Sequence, residues 1–129
     1  AELDDYVRKI VLVVDDEIIN REIVSAYFQY WGFEVHQAES GQDCLNQFEI
    51  SKYDLIIMDL QMPELDGFET TKQIRQRERE STHQCIPILG LSASVIGDVW
   101  SKCESVGMSG YLSKPFEELV FSFSFFYIF

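Results

Sequence analysis

The chain has little cysteine and almost no histidine, and neither residue type is spaced for metal binding or redox chemistry. The three cysteines, Cys44, Cys85 and Cys103, lie far apart and form no C-x-x-C pair. Zinc sites and redox motifs need close spacing, so both are disfavoured. His36 and His83 stand alone. We therefore interpret the cysteines as reduced thiols of a cytoplasmic protein.

Basic residues and long apolar runs are also scarce. Only 10 Lys and Arg residues accompany 22 Asp and Glu residues, which gives a formal net charge of -12. Phosphate groups would be repelled by such a surface, so direct binding to nucleic acid or to an anionic membrane is disfavoured. No apolar run approaches the ~18–20 residues that span a bilayer. With 129 residues and 47% hydrophobic content, the chain has the size of one domain with a sizeable core.

Strand-type and helix-type patterns alternate along the chain. Apolar or alternating runs predict strands at 10–14, 33–38, 55–58, 86–91 and 110–112. Helical spacing predicts helices at 18–31, after a cap at Ser40, at 67–79 and at 96–106, two of them followed by Gly32 and Gly107. This alternation is typical of right-handed βαβ units. The predicted fold is α/β: a parallel sheet of five strands with helices on both faces.

Polar side chains follow four of the predicted strands, at the point where each strand ends. The first strand is followed by Asp15 and Asp16, the third by Asp59, the fourth by Ser92 and the fifth by Lys114. In open α/β sheets, ligands bind outside the carboxyl ends of the strands. If the strand order is 2-1-3-4-5, the first and third strands are neighbours, and the three carboxylates share one pocket.

Such a pocket suits a divalent cation and a phosphoryl group. Three close carboxylates repel and raise one another's pKa values, and a hard cation such as Mg²⁺ removes that conflict. A lysine ammonium and a serine hydroxyl supply further donors for phosphoryl oxygens. An Asp carboxylate can itself be the nucleophile and form an aspartyl phosphate.

Four motifs carry a resemblance to a known family. They are Val-Leu-Val-Val-Asp-Asp-Glu at 11–17, Ile-Met-Asp-Leu-Gln-Met-Pro-Glu-Leu-Asp-Gly at 57–67, Leu-Ser-Ala at 91–93 and Tyr-Leu-Ser-Lys-Pro at 111–115. The chain resembles the response-regulator receiver domain of two-component phosphorelays from residue 10 to about 119. This resemblance implies a doubly wound five-stranded parallel sheet with the flavodoxin-like strand order 2-1-3-4-5. The residues of these motifs are most similar to those in the receivers of hybrid sensor histidine kinases.

The resemblance implies a role for each residue of the pocket. Asp59 would accept a phosphoryl group from the phosphohistidine of a histidine kinase or a histidine phosphotransfer domain, and the domain would catalyse its own phosphorylation and dephosphorylation. Mg²⁺ would be bound by Asp16, Asp59 and the backbone carbonyl of Gln61, with Asp15 acting through water. Lys114 would contact the phosphoryl group.

The resemblance also implies a conformational switch. Ser92 would move toward the phosphoryl group, and the aromatic ring of Tyr111 would turn inward when Ser92 moves. The shape of the face around the fourth helix, the fifth strand and the last helix would then change, which would alter partner binding.

Two features depart from the family pattern. Gly90 stands inside the fourth strand where a larger apolar residue or Ala is usual, and we expect it to loosen the packing near Ser92. The second feature is the aromatic segment 120–129, which fits a helix face and strand alternation equally well. We expect one receiver domain over 1–129, with its core at 9–119, and a homodimer formed through the aromatic segment.

The sequence leaves three other functions open. A small Mg²⁺-dependent phosphatase would also use an Asp nucleophile, but it needs a second acid two residues after Asp59, where this chain has Gln61. A degenerate receiver that serves only for docking would not need the intact acidic set and Lys114. A nucleotide-binding domain would need a G-x-G-x-x-G or Walker loop, and the sequence has neither.

Overall fold

The computed structural model describes residues 8–81, 84–93 and 97–114. Its centre is a parallel sheet in the order β2-β1-β3-β4-β5, which confirms the predicted topology. The strands are β1 (Ile10–Val14), β2 (Glu34–Ala38), β3 (Leu55–Asp59), β4 (Ile88–Ser92) and β5 (Gly110–Ser113). The helices described between them are α1 (Ile18–Tyr30), α2 (Gly41–Gln47), α3 (Gly67–Ser81) and α4 (Val99–Ser105).

Alternation along the strands divides the core between the two faces of the sheet. In β1, Leu12 and Val14 belong to one buried cluster, while Val11 and Val13 belong to the other. The second cluster includes Val24, Phe28 and other side chains on the α1 side, and the first includes residues of α2, α3 and α4. Both faces of the central strands are thus buried, as a continuous apolar run predicts.

The ends of the helices are formed largely by the capping residues and glycines that the sequence predicts. The hydroxyl of Ser40 accepts a hydrogen bond from the backbone N–H of Asp43 at 2.9 Å, which caps α2. Gly32 and Gly107 follow α1 and α4 with φ values of 93° and 94°, a conformation that glycine adopts without steric cost. These caps fix where the chain leaves each helix and enters the next strand.

The starts of two elements differ from the prediction by two residues or more. The fourth helix begins at Val99 and does not run through residues 97 and 98, because Gly97 has a φ of 83° and Asp98 caps the helix by accepting from Ser101 N–H. The fourth strand begins at Ile88, two residues later than predicted. Pro87 has no N–H to donate, and only its carbonyl joins the sheet, by accepting from Ile56 N–H at 3.0 Å.

The expectation that Gly90 loosens the packing near Ser92 is wrong. A Cβ atom at Gly90 would lie 2.8 Å from Leu60 Cδ2 and 3.0 Å from Met108 Sδ. Those two side chains therefore occupy the space that a larger residue would need. Gly90 is a site of close packing, and its missing side chain leaves no void.

Three further sequence predictions concern the C-terminal segment, the cysteines and membrane-spanning helices. The aromatic segment 120–129 and any dimer contact made by it lie outside the described residues. Cys44, Cys85 and Cys103 are all free, and the first and last of them are buried. Among the described helices, none has both the length and the apolar content needed to cross a membrane.

Candidate functional site

The acidic pocket is formed by the adjoining ends of β1 and β3. Val14 pairs with Met58 in the sheet register, so the residues that follow them lie side by side. Asp15 is fully buried and Asp59 is 4% exposed, whereas Asp16 faces solvent. One carboxylate oxygen from each of these three acids lies within 4.8 Å of the other two. The structure therefore brings together the three acids that the strand order predicted to share a pocket.

Lys114 reaches into this pocket from the end of β5. Its Nζ lies 3.1 Å from Asp15 Oδ2 and 3.3 Å from Asp59 Oδ1. Its backbone N–H donates to the carbonyl of Ser92 at 2.8 Å, which holds the ends of β4 and β5 together. Ser92 is buried beside it. Residues from four parts of the chain thus meet at one edge of the sheet.

Burial and charge repulsion make Asp59 hard to ionise. Burial, the largest effect, and the charge of Asp15 raise the pKa of Asp59 from 3.8 to about 7, although the ammonium of Lys114 and the N–H of Gln61 oppose the rise. Burial would lower the pKa of Lys114, but the charges of Asp59 and Asp15 outweigh burial and raise it above its usual range. The lysine is therefore charged at neutral pH.

Gln61 contacts this pocket through its backbone, and Tyr111 lies in β5, three residues before Lys114. The backbone N–H of Gln61 donates to Asp59 Oδ1 at 3.3 Å, and the Gln61 side chain is exposed. Tyr111 is half-buried in β5, and its ring stacks on that of Trp100 with centroids 6.3 Å apart. The sequence did not indicate this aromatic pair, because Trp100 and Tyr111 lie in different elements. The metal-binding role of Gln61 and the switching role of Tyr111 stay predictions.

Gly67 has a part in the site that the sequence analysis missed. The Asp66-Gly67 pair indicates a turn, but a Cβ at Gly67 would lie only 2.3 Å from the backbone oxygen of Asp59. The N–H of Gly67 also donates to the carbonyl of Leu60 at 3.1 Å. Only glycine lets the start of α3 approach the Asp59 backbone this closely.

The side chains of the pocket fit a divalent metal ion. When all three carboxylates are ionised, the ammonium of Lys114 compensates for one charge and leaves two negative charges. Oxygen ligands of this kind suit Mg²⁺, which binds through one or two carboxylates and retains water molecules. Asp16 can approach a metal most freely, because its side chain is exposed.

An exposed apolar surface lies on α1, which begins two residues after Asp16. The exposed fractions are 62% for Ile18, 70% for Ile19 and 80% for Tyr30. A cavity of about 410 Å³ on this helix is lined by Ile23 and Tyr30 among others. Large exposed apolar side chains grouped on one helix are typical of an interaction surface.

Comparisons with known proteins agree with this geometry. The chain is 39% identical over 128 residues to probable histidine kinase 4 of rice, covering 85% of this chain and 13% of that protein. It is 41% identical over 108 residues to the hybrid signal transduction histidine kinase L of Dictyostelium discoideum, covering 81% of this chain and 6% of that protein. The chain therefore spans only a small part of these curated relatives.

Solved structures give the same result. The chemotaxis protein CheY4 of Vibrio cholerae superposes with a TM-score of 0.83 and 32% identity, covering 95% of this chain and all of that one. A receiver domain of a Pseudomonas aeruginosa sensor histidine kinase, with magnesium in its active-site cleft, superposes with a TM-score of 0.78 and 27% identity, covering 92% of this chain and 94% of that one. A yeast receiver domain crystallised with a histidine phosphotransfer protein superposes with a TM-score of 0.79 and 31% identity, covering 89% of this chain and 84% of that one.

A family model described as the response regulator receiver domain matches residues 11–121. This range includes the whole sheet except Ile10, the first residue of β1, and it includes all the side chains that form the acidic pocket. The chain belongs to the response regulator receiver domain family.

Proposed function

We propose that this receiver domain accepts a phosphoryl group on the carboxylate of Asp59. The observation that carries the proposal is the convergence of Asp15, Asp16 and Lys114 on that carboxylate. In the transfer, a bond forms between an Asp59 oxygen and phosphorus. The bond from phosphorus to the donor's imidazole nitrogen breaks, and its electron pair stays on that nitrogen.

We propose Mg²⁺ as the cofactor of this reaction. Asp16 and Asp59 would hold it directly together with the backbone carbonyl of Gln61, and Asp15 would hold it through water. A bound Mg²⁺ would compensate for charge repulsion between the carboxylates and for the charge on the phosphoryl oxygens. The raised pKa of Asp59 supports this requirement, since about half of a group with a pKa of about 7 is protonated, and so not nucleophilic, at neutral pH.

The chain's own donors would stabilise the phosphorylated form. Lys114 lies 3.3 Å from Asp59 Oδ1 and is held there by its backbone bond to the carbonyl of Ser92, so its ammonium is in place for the phosphoryl oxygens. The hydroxyl of Ser92 would move toward the same oxygens. The space it leaves would admit the ring of Tyr111, which would separate from Trp100. Phosphorylation would thereby shift the population between two packings of this face.

We propose a protein phosphohistidine as the donor. This is supported by the histidine kinases among the relatives and by the yeast receiver that was crystallised with a histidine phosphotransfer protein. The exposed apolar side chains of Ile18 and Ile19 lie on α1 within three residues of Asp16, where a donor protein that presents its histidine to Asp59 would contact them. Burial of these side chains would favour the complex.

The extent of the domain and its self-association are further proposals. We propose that residues 1–129 form one receiver domain with its core at 9–119. We also propose that the aromatic segment 120–129 mediates a homodimer, because few polar residues remain in it to face water. Sedimentation over a range of protein concentrations tests this. A mass that stays monomeric at every concentration would rule out the dimer.

Phosphate uptake can be tested directly by intact mass. The protein is incubated with a small-molecule phosphodonor and Mg²⁺, and we expect a gain of one acid-labile phosphoryl group that is lost on hydrolysis. Asp59→Asn should abolish the gain, because an amide cannot form the acyl phosphate, and EDTA should abolish it in the wild type. Labelling that persists in Asp59→Asn would mean that another residue is the acceptor.

A further inference from the structure

A second polar network lies next to the acidic pocket and makes no use of its carboxylates. Arg21, the fourth residue of α1, donates from Nη1 to the backbone oxygen of Asp15 at 2.8 Å and from Nε to Gln37 Oε1 at 2.9 Å. Gln37 in β2 in turn donates from Nε2 to the hydroxyl of the buried Ser25 at 3.0 Å. We call Arg21, Gln37 and Ser25 the Arg21 brace.

Arg21 makes the last of the hydrogen bonds that hold Asp15, the residue that precedes Asp16. The N–H of Asp15 donates to Ala38 O at 3.1 Å, and its two carboxylate oxygens accept from Glu17 N–H at 2.9 Å and from Lys114 Nζ at 3.1 Å. Its backbone oxygen is the remaining polar group, and it is the one that Arg21 binds.

The orientation of one peptide group therefore depends on Arg21. The carbonyl of Asp15 belongs to the peptide that joins Asp15 to Asp16, so the bond from Arg21 fixes the direction in which the backbone presents Asp16. The Asp16 side chain is exposed, and packing does not fix it. A hydrogen bond from a charged guanidinium is among the stronger kinds, and its planar shape lets it hold the carbonyl and Gln37 together.

We infer that Arg21 is a positioning residue for the divalent-cation site, acting through the peptide between Asp15 and Asp16. This inference rests on the proposed Mg²⁺-dependent function. Residues outside the ligand set that orient metal ligands typically change metal affinity by about 10–100-fold when they are removed.

Charge and position predict opposite effects of removing Arg21. Arg21 is a cation beside a cation site, so loss of its charge alone would strengthen Mg²⁺ binding. Loss of the brace would instead let the Asp15–Asp16 peptide turn, and Mg²⁺ binding would weaken. The direction of the change in affinity therefore distinguishes the two.

The experiment measures Mg²⁺ affinity by isothermal titration calorimetry on the full chain. Arg21→Gln should weaken Mg²⁺ binding by about tenfold. Arg21→Lys should also weaken it, although the charge is kept, because an ammonium cannot reproduce the planar fork. The matched control is Arg77→Gln. Arg77 also donates from Nη1 to a backbone carbonyl, that of Leu45 at 2.7 Å, but this bond joins α3 to α2 and involves no residue of the pocket. We expect the control to stay within about twofold of the wild type.

A second readout separates positioning from catalysis. Phosphate uptake from a small-molecule donor is followed as Mg²⁺ is raised to saturation. Arg21→Gln should need more Mg²⁺ for half-maximal rate but should approach the wild-type rate at saturation. A rate that stays low at saturating Mg²⁺ would overturn the assignment, because Arg21 would then act in the transfer itself.

The remaining outcomes are also decisive. Wild-type affinity or tighter binding in Arg21→Gln would overturn the inference while leaving the proposed function intact. Equal weakening in Arg77→Gln would overturn it as well, because the effect would then be a general loss of stability. Absence of Mg²⁺ binding by the wild type would overturn the proposed function. If Arg21→Gln does not fold, the same comparison is made with Arg21→Lys.

Discussion

Replacement of Asp59 by asparagine is expected to stabilise the metal-free protein, although it removes the proposed phosphoacceptor. Asp59 is 4% exposed, and its charge lies beside that of Asp15. Asparagine has nearly the same shape, and its carbonyl oxygen can still accept hydrogen bonds from Gln61 N–H and Lys114. The change therefore removes a costly buried charge and preserves the packing around it.

The size of the effect follows from the pKa of Asp59. A rise from 3.8 to about 7 corresponds to about 4 kcal/mol at 1.36 kcal/mol per pKa unit. Because the folded protein holds its proton more tightly than the unfolded chain does, its stability falls as the pH rises through this interval. The cost is absent below about pH 4 and is complete above about pH 7. We expect Asp59→Asn to be more stable than the wild type by about 2 kcal/mol near pH 5 and by about 4 kcal/mol near pH 8.

Urea unfolding in EDTA over this pH range, followed by tryptophan fluorescence, measures the difference. Glu22→Gln is the control, since it removes one exposed charge and changes the net charge by the same amount. Saturating Mg²⁺ should narrow the gap, because a ligand that binds only the folded wild type stabilises it. The reasoning would be refuted if the Asp59→Asn variant were less stable than the wild type near pH 8. It would also be refuted if the difference in their free energies of unfolding did not change with pH.

Three further predictions concern the surface, a buried ion pair and two glycines. Ile19→Glu should slow transfer from a phosphohistidine protein by about tenfold relative to uptake from a small-molecule donor, which needs no docking; equal slowing of both would exclude a docking role. Glu78→Gln should lower the free energy of urea unfolding by about 3 kcal/mol, because it breaks a buried pair 2.7 Å long, whereas Glu69→Gln in an exposed pair should cost less than about 1 kcal/mol. Gly67→Ala should cost about 3 kcal/mol in the same assay, because its Cβ would meet backbone, and Gly90→Ala about 1–2 kcal/mol, because its Cβ would meet flexible side chains. Equal costs within either of these two pairs would contradict the structural argument.

The sequence alone predicted the architecture because the architecture follows from local patterns. Apolar runs that end in polar residues marked β1 and β3, and helical spacing between strands implied parallel pairing. The side-chain period of two also separated Leu12 from Val13, which lie in different clusters on opposite faces. The pocket could be predicted in outline, since parallel strands place all their carboxyl ends at one edge.

The sequence analysis missed one local signal and one contact between distant residues. The fourth helix begins at Val99 because Gly97 has a positive φ and Asp98 caps the helix, and both of these signals lie in the adjoining sequence. Gly90 appeared to be a gap because its partners, Leu60 and Met108, come from other parts of the chain. Propensity and periodicity contain no information about such contacts.

The sequence by itself determined the parallel sheet, the two faces of the core and the set of polar residues at the strand ends, and the resemblance to a known family supplied the strand order. Only the tertiary structure decided the distances among those residues: the bonds of Lys114 to two acids, the approach of Gly67 to the Asp59 backbone and the bond from Arg21 to the Asp15 carbonyl. The physical reason is that side-chain period and chain connectivity are local properties. Hydrogen bonds and the pKa of a buried carboxylate depend instead on a few tenths of an ångström between segments far apart in sequence, which packing of the whole domain sets.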